Sequence, residues 1–83
     1  MAAKYKSKPV VIEAVEWTGK NLDEVTTFLG YTPEGAAPEA DLPIKTLEGT
    51  MKAAPGAWII KGTIGEFYPC KAEVFAAKYE LAV

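Results

Sequence analysis

The second half of the chain constrains the fold most. From Ile44 to Cys70 it reads IKTLEGTMKA, then APGA, then WIIKGTIGEFYPC. Apolar and polar residues alternate on either side of glycine-bearing connections. That is the pattern of antiparallel hairpins, because strand side chains point to opposite faces in turn and glycine supplies the positive φ of tight turns. Glu48-Gly49 is the expected two-residue connection of the first hairpin. In the second, Gly62-Thr63-Ile64-Gly65 forms the turn, with Lys61 opposite Glu66, Ile60 opposite Phe67 and Ile59 opposite Tyr68. This register pairs opposite charges and apolar side chains. Ala54-Pro55-Gly56 turns the chain between the two. A phosphate-binding loop needs a Gly-x4-Gly-Lys-Ser/Thr run leading into a helix. Here the chain re-enters a strand, so the glycines of GTIG are accounted for by the turn.

The first half supplies what covers such a sheet. KPVVIEAVEW, residues 8–17, is rich in β-branched residues. Val10, Ile12 and Ala14 fall on one face and Val11, Val15 and Trp17 on the other, as in a strand inside a sheet or one covered on both sides. Gly19 breaks it. NLDEVTTFLG then carries a helix signature: Asn21 as cap, Glu24 three residues on as in a capping box, and Gly30 as stop. Leu22, Val25, Phe28 and Leu29 form its apolar face. Residues 31–43 hold three prolines and a glycine and read as a surface loop, whose acids Glu34, Glu39 and Asp41 are solvated. The tail allows a short helix over about residues 72–77 and a last strand through KYELA, residues 78–82. The fold class is α+β: a mostly antiparallel sheet of about five to six strands built from hairpins, packed by one helix near the N-terminus.

Residues 1–83 form a single domain. A chain of this length buries only about 60% of its unfolded surface. Its core is therefore thin, and a homo-oligomer is the expected remedy. No apolar run approaches the roughly 18 residues of a membrane span and no signal-peptide core opens the chain, so no membrane association and a cytoplasmic location are expected.

The formal net charge is −2, and all nine basic residues are lysines. Duplex nucleic-acid binding shows a basic footprint and favours arginine for base contacts, so it is not expected. Lys4, Lys6 and Lys8, followed by Pro9, read as a solvated lead into the first strand. The sequence contains no histidine. The usual general base, the Cys-His pair and most zinc sites are thereby removed, leaving no expected catalytic residues, metal or cofactor. Cys70, the one cysteine, cannot form an internal disulfide. It reads as a small buried apolar residue, with Lys71 as its sole cationic neighbour in sequence.

Two long segments, KYKSKPVVIEAVEWTG and IKTLEGTMKAAPGAWIIKGTIGEFYPCKAEVFAAKYE, resemble a widespread group of small, uncharacterised proteins of tailed bacteriophages and prophages. In that group the opening, IKTLEGTM, a PGD turn and GEFYPCK recur in the same order. The chain departs from the pattern at Ala57, where the group has Asp, and at Ala72, where it has Pro. The resemblance carries over no functional residue. It implies a phage protein acting in the host bacterial cytoplasm. One class of such proteins is the sponges, small homo-oligomers that sequester the nucleotide signals of anti-phage defence.

The residues are compatible with that role, the expected ligand being a small anionic nucleotide of the cyclic oligonucleotide or cyclic ADP-ribose type. Trp17, Thr18 and Lys20 offer a stacking face, a hydroxyl and an ammonium within four positions. Lys45, Thr46, Lys61, Tyr68 and Lys71 lie on the hairpins and are candidates to complete a cationic pocket at a subunit seam. The plainer reading of Trp17 is a core or interface residue, and of Tyr68 and Lys45 ordinary sheet surface. Two alternatives stand beside the sponge: an inhibitor docking a host protein through a sheet edge or the acidic loop, and a minor virion or assembly protein.

Overall fold

The structure, a computed structural model, describes residues 2–4 and 10–82. Five strands and two helices follow in the order β1 (Glu13–Glu16), α1 (Leu22–Leu29), β2 (Leu42–Thr46), β3 (Gly49–Ala53), β4 (Trp58–Lys61), β5 (Phe67–Cys70) and α2 (Ala72–Lys78). The architecture is α+β, and every strand pair is antiparallel. The strands form two sheets instead of one: β1-β4-β5, and the hairpin β2-β3, which lies against β5. No helix among the described residues is long and apolar enough to cross a membrane.

The three-stranded sheet is covered on both faces. Val15 and Ile59 sit opposite each other and face the main core, which gathers Trp17, Val25, Leu29, Leu42, Ile44, Ala53 and Ile59. Helix α1 enters it through Val25 and Leu29, with Leu22 and Phe28 packed alongside, as its apolar face requires. Phe28 meets Phe67 of β5 edge-to-face, with centroids 5.5 Å apart. On the other face, Ala14, Ile60 and Tyr68 lie in register. There Trp58 stacks flat on Phe75 of α2, at 4.1 Å and an interplanar angle of 2°. Ile60 is fully buried on this second face.

Several local expectations are corrected. β1 spans four residues, not ten, because its partner β4 ends at Lys61, leaving Val10–Ile12 without a strand to pair. It is also an edge strand. Lys6, Lys8 and Pro9 lie outside the described residues; Lys4 is exposed. The loop ends at Asp41: Leu42 is buried against Ala53, and Pro43 occupies an outward strand position opposite Lys52. A proline fits there because it has no ladder N–H to donate.

Both hairpin turns differ by one position. In the first, Leu47-Glu48 is the connection and Gly49, at φ 109°, opens β3 opposite Thr46. In the second, the Gly62 amide donates to the Glu66 carbonyl at 2.7 Å, so the loop is Thr63-Ile64-Gly65. Lys61 therefore faces Phe67, Ile60 faces Tyr68 and Ile59 faces Pro69. Gly65, at φ 85°, takes the left-handed position that a three-residue hairpin loop needs.

The C-terminal residues 79–82 form no strand. Tyr79 caps α2 and packs against Phe75 at 5.1 Å, and residues 80–82 are exposed.

The helix cap also works differently from a capping box. The Asn21 side chain makes no hydrogen bond to the helix amides. Its Oδ1 accepts from the Thr18 amide (2.9 Å) and hydroxyl (3.0 Å), and its Nδ2 donates to the Glu16 carbonyl (2.7 Å) and to Glu24 Oε1 (2.6 Å). Asn21 thus ties the end of β1 to the start of α1. Gly30 closes the helix as expected, at φ 80° with its amide on the Thr26 carbonyl.

Candidate functional site

The residues singled out from the sequence do not form one pocket. Trp17 is fully buried, and its Nε1 donates to the Ala40 carbonyl at 2.8 Å. Its main chain extends the β1–β4 pairing, donating to the Ala57 carbonyl and accepting from the Gly56 amide. With the indole in the core, no ring face is left for a base, which corrects the stacking role expected of it. The Thr18 hydroxyl is engaged by Asn21 and by the Lys20 amide. Lys20 itself is exposed at the turn into α1. Thr46 is similarly occupied: its hydroxyl donates to the Gly49 carbonyl and accepts from the Glu48 amide, closing the hairpin turn.

Lys61 and Tyr68 separate onto opposite faces of the three-stranded sheet, since Lys61 pairs with Phe67 and Ile60 with Tyr68. The Lys61 ammonium lies 6.0 Å from the Phe67 ring centroid, opposite Glu13 in the register. Tyr68 is half-buried beneath the C-terminal segment. Its hydroxyl pKa is pushed up from 10.0 to about 12, first by burial and then by the neighbouring Tyr79 hydroxyl, with the charges of Glu66 and Cys70 adding to both. Tyr68 is therefore a neutral phenol at physiological pH. Lys71 is exposed where α2 begins. Cys70 is half-buried and pairs with Trp58 across the sheet, less enclosed than expected.

Lys45 is the one candidate that does line a recess. β2 alternates strictly: Leu42 and Ile44 face the core, and Pro43 and Lys45 face outward. Across the hairpin Thr50 pairs with Lys45 and Lys52 with Pro43, so two lysines and a threonine share one face on neighbouring strands. Tyr31, placed directly after the Gly30 cap, reaches this face. Its hydroxyl accepts from the Lys45 amide at 3.1 Å, and the Lys45 ammonium stands 5.6 Å from the ring centroid. Tyr31, Lys45 and Thr50, together with Thr32, Pro33, Glu34 and Pro43, line a recess of about 370 Å³; Lys52 lies on the same face outside it. That is near the lower end of the range for ligand sites, roughly 300–1,000 Å³. The recess is lined by one lysine, one tyrosine and two threonines, with one acid, Glu34, among its walls. Tyr31, Thr50 and Lys52 were missed from the sequence. The alternation of LPIKT against GTMKA puts Lys45, Thr50 and Lys52 together, whereas Tyr31 joins them only through the tertiary fold.

A second concavity, of about 360 Å³, runs along the outer face of β1 between residues 10–12 and 79–82, and is mainly apolar. Among the described residues no three or more cysteine and carboxylate side chains come together as a metal-ligand group. Comparison with protein families, with curated proteins and with solved structures finds no match for this chain.

Proposed function

We propose that this chain is a non-catalytic binding protein that captures a small anionic nucleotide on the outer face of the β2–β3 hairpin. In line with its resemblance to phage proteins, it removes a host immune signal of the cyclic oligonucleotide or cyclic ADP-ribose type in the host cytoplasm. The observation that carries this reading is the convergence of Tyr31, Lys45 and Thr50 in one recess, with Lys52 on the same face. Lysine is a point charge that meets phosphate without a fixed fork, and an adjacent aromatic ring suits a base or ribose. Glu34 repels an anion from the loop side. The phosphate therefore lies toward Lys45 and Lys52, with the uncharged part of the ligand against Tyr31 and Thr32. The recess has room for about one nucleotide unit, so a cyclic oligonucleotide spans recesses on more than one copy. A sequence without histidine is suited to capture and not to turnover.

The test is a thermal-shift screen of the purified protein against a panel of cyclic nucleotides, followed by heat release and mass analysis of whatever is bound. The expected result is one nucleotide class that stabilises the fold and is recovered unchanged. A chemically altered product replaces this reading with an enzyme.

A second reading rests on the loop at 31–41. The Glu39 amide donates to the Gly19 carbonyl at 2.9 Å and Trp17 holds Ala40, so the loop is pinned while Glu34, Glu39 and Asp41 stay exposed. A preorganised acidic loop suits docking to a basic host protein. Silence across the nucleotide panel, with capture of a defined basic partner abolished by Glu34→Lys and Asp41→Lys, selects this reading.

A further inference from the structure

The two helices are held by very different means. Helix α1 buries Val25 and Leu29 in the main core. Of the seven residues of α2 none is buried, and all but Phe75 are exposed. Its docking rests on aromatic rings: Phe75 lies flat on Trp58, Tyr79 packs on Phe75, and the Tyr79 hydroxyl neighbours that of Tyr68. Among the described residues no main-chain hydrogen bond ties residues 72–78 to a strand. Isolated helices shorter than about 12–15 residues are marginal in water, so α2 keeps its form through this docking.

The layer beneath α2 is separate from the main core. By the register of β4 and β5, Trp58, Ile60, Tyr68 and Cys70 share the sheet face opposite the one α1 covers. None of the four belongs to the core cluster, which gathers around Ile59 on the other face. Removing α2 therefore takes no side chain out of that core. The joint is Lys71, which is extended (φ −62°, ψ 147°) and makes no side-chain cap to the helix.

We infer that α2 is a lid that swings off the sheet about Lys71 while the strands and α1 stay folded, uncovering Trp58 and the layer that holds Ile60, Tyr68 and Cys70. Elements with few buried apolar contacts open at the low end of a protein's free-energy range, which is where lids are found. The lid is independent of the nucleotide site, since no residue of α2 or of the layer beneath it lines the Tyr31–Lys45 recess.

Native-state amide exchange on the wild-type chain tests it. The Phe75 and Tyr79 amides, bonded to the Lys71 and Phe75 carbonyls, are compared with the Trp17 amide, bonded to Ala57. Protection of the two α2 amides is expected to be at least roughly a hundredfold lower than that of Trp17. Equal protection overturns the inference, because α2 then opens only with the whole fold. Phe75→Ala removes the stack on Trp58. It is expected to retain cooperative urea unfolding by circular dichroism and to speed alkylation of Cys70 by iodoacetamide about tenfold. Loss of cooperative unfolding in this variant makes α2 part of the core and overturns the inference. An unchanged alkylation rate also overturns it, since the helix then frays in place without leaving the sheet.

Discussion

The indole nitrogen of Trp17 donates a 2.8 Å hydrogen bond to the carbonyl of Ala40, joining the end of β1 to a loop 23 residues away. The same residue is fully buried among Val25, Leu42 and Ile59. It therefore has two jobs in the fold: filling the core and fixing the loop that leads into β2.

Trp17→Phe separates those jobs. The ring remains largely apolar and aromatic, but the Ala40 carbonyl loses its partner. A stability loss of about 1–3 kcal/mol is expected from the unmade bond, while Trp17→Ala costs about 3–5 kcal/mol through the added cavity. Urea denaturation measures both. Equal losses for the two variants would show that the hydrogen bond carries the whole effect.

The two glycines of the β4–β5 hairpin respond differently to alanine. At Gly65 the positive φ of 85° makes any side chain strained. Gly65→Ala is expected to cost about 1 kcal/mol or more. Gly62 has no such backbone constraint; a Cβ there meets the carboxyl group of Glu66, the movable end of a side chain. The loss for Gly62→Ala is confined to displacing Glu66, whose Oε1 accepts from the Ile64 amide at 3.2 Å. Glu66→Ala, which removes the obstacle, is expected to make a second Gly62→Ala change nearly neutral. A double-mutant cycle without that coupling contradicts the observed register.

Alkaline pH acts through Tyr68. Its folded-state pKa, about 12, stands above the unfolded value of 10.0. Between these values the folded chain holds a proton that the unfolded chain releases, so stability falls as pH rises through that window and is unaffected by Tyr68 below it. Burial is the main cause and Tyr79 the second. Tyr79→Phe removes the neighbouring hydroxyl and should bring the late phenolate absorbance transition to lower pH. No change in the titration would leave burial as the cause by itself.

The sequence was most informative where one residue type has one physical use. Gly30 could only end a helix, and Pro55-Gly56 forms a turn in which the Ala57 amide reaches the Ala54 carbonyl at 2.9 Å. Ala57 makes backbone bonds to Ala54 and Trp17 and packs against the core. The register of the second hairpin was hidden because Gly62 and Gly65 both look like turn residues, and only the bond between Gly62 and Glu66 distinguishes them. The division into two sheets was equally hidden, since a hairpin's own pattern does not say which strand lies beside it. For the site, alternation located Lys45 on an outer face. The pairing with Tyr31 arises from a contact 14 residues apart and has no local signature.

Calorimetric titration of a cyclic nucleotide panel into the wild-type chain, Lys45→Ala and Lys52→Ala tests the proposed binding role most directly. One nucleotide class is predicted to bind the wild type. Its affinity should weaken as salt is added, because exposed lysines supply the attraction, and should drop roughly tenfold in Lys45→Ala, about 1.4 kcal/mol. Lys52→Ala should show a smaller loss in the same direction. No heat from any member of the panel, or an affinity unchanged in both lysine variants, would contradict capture of an anionic nucleotide at the Tyr31–Lys45 recess.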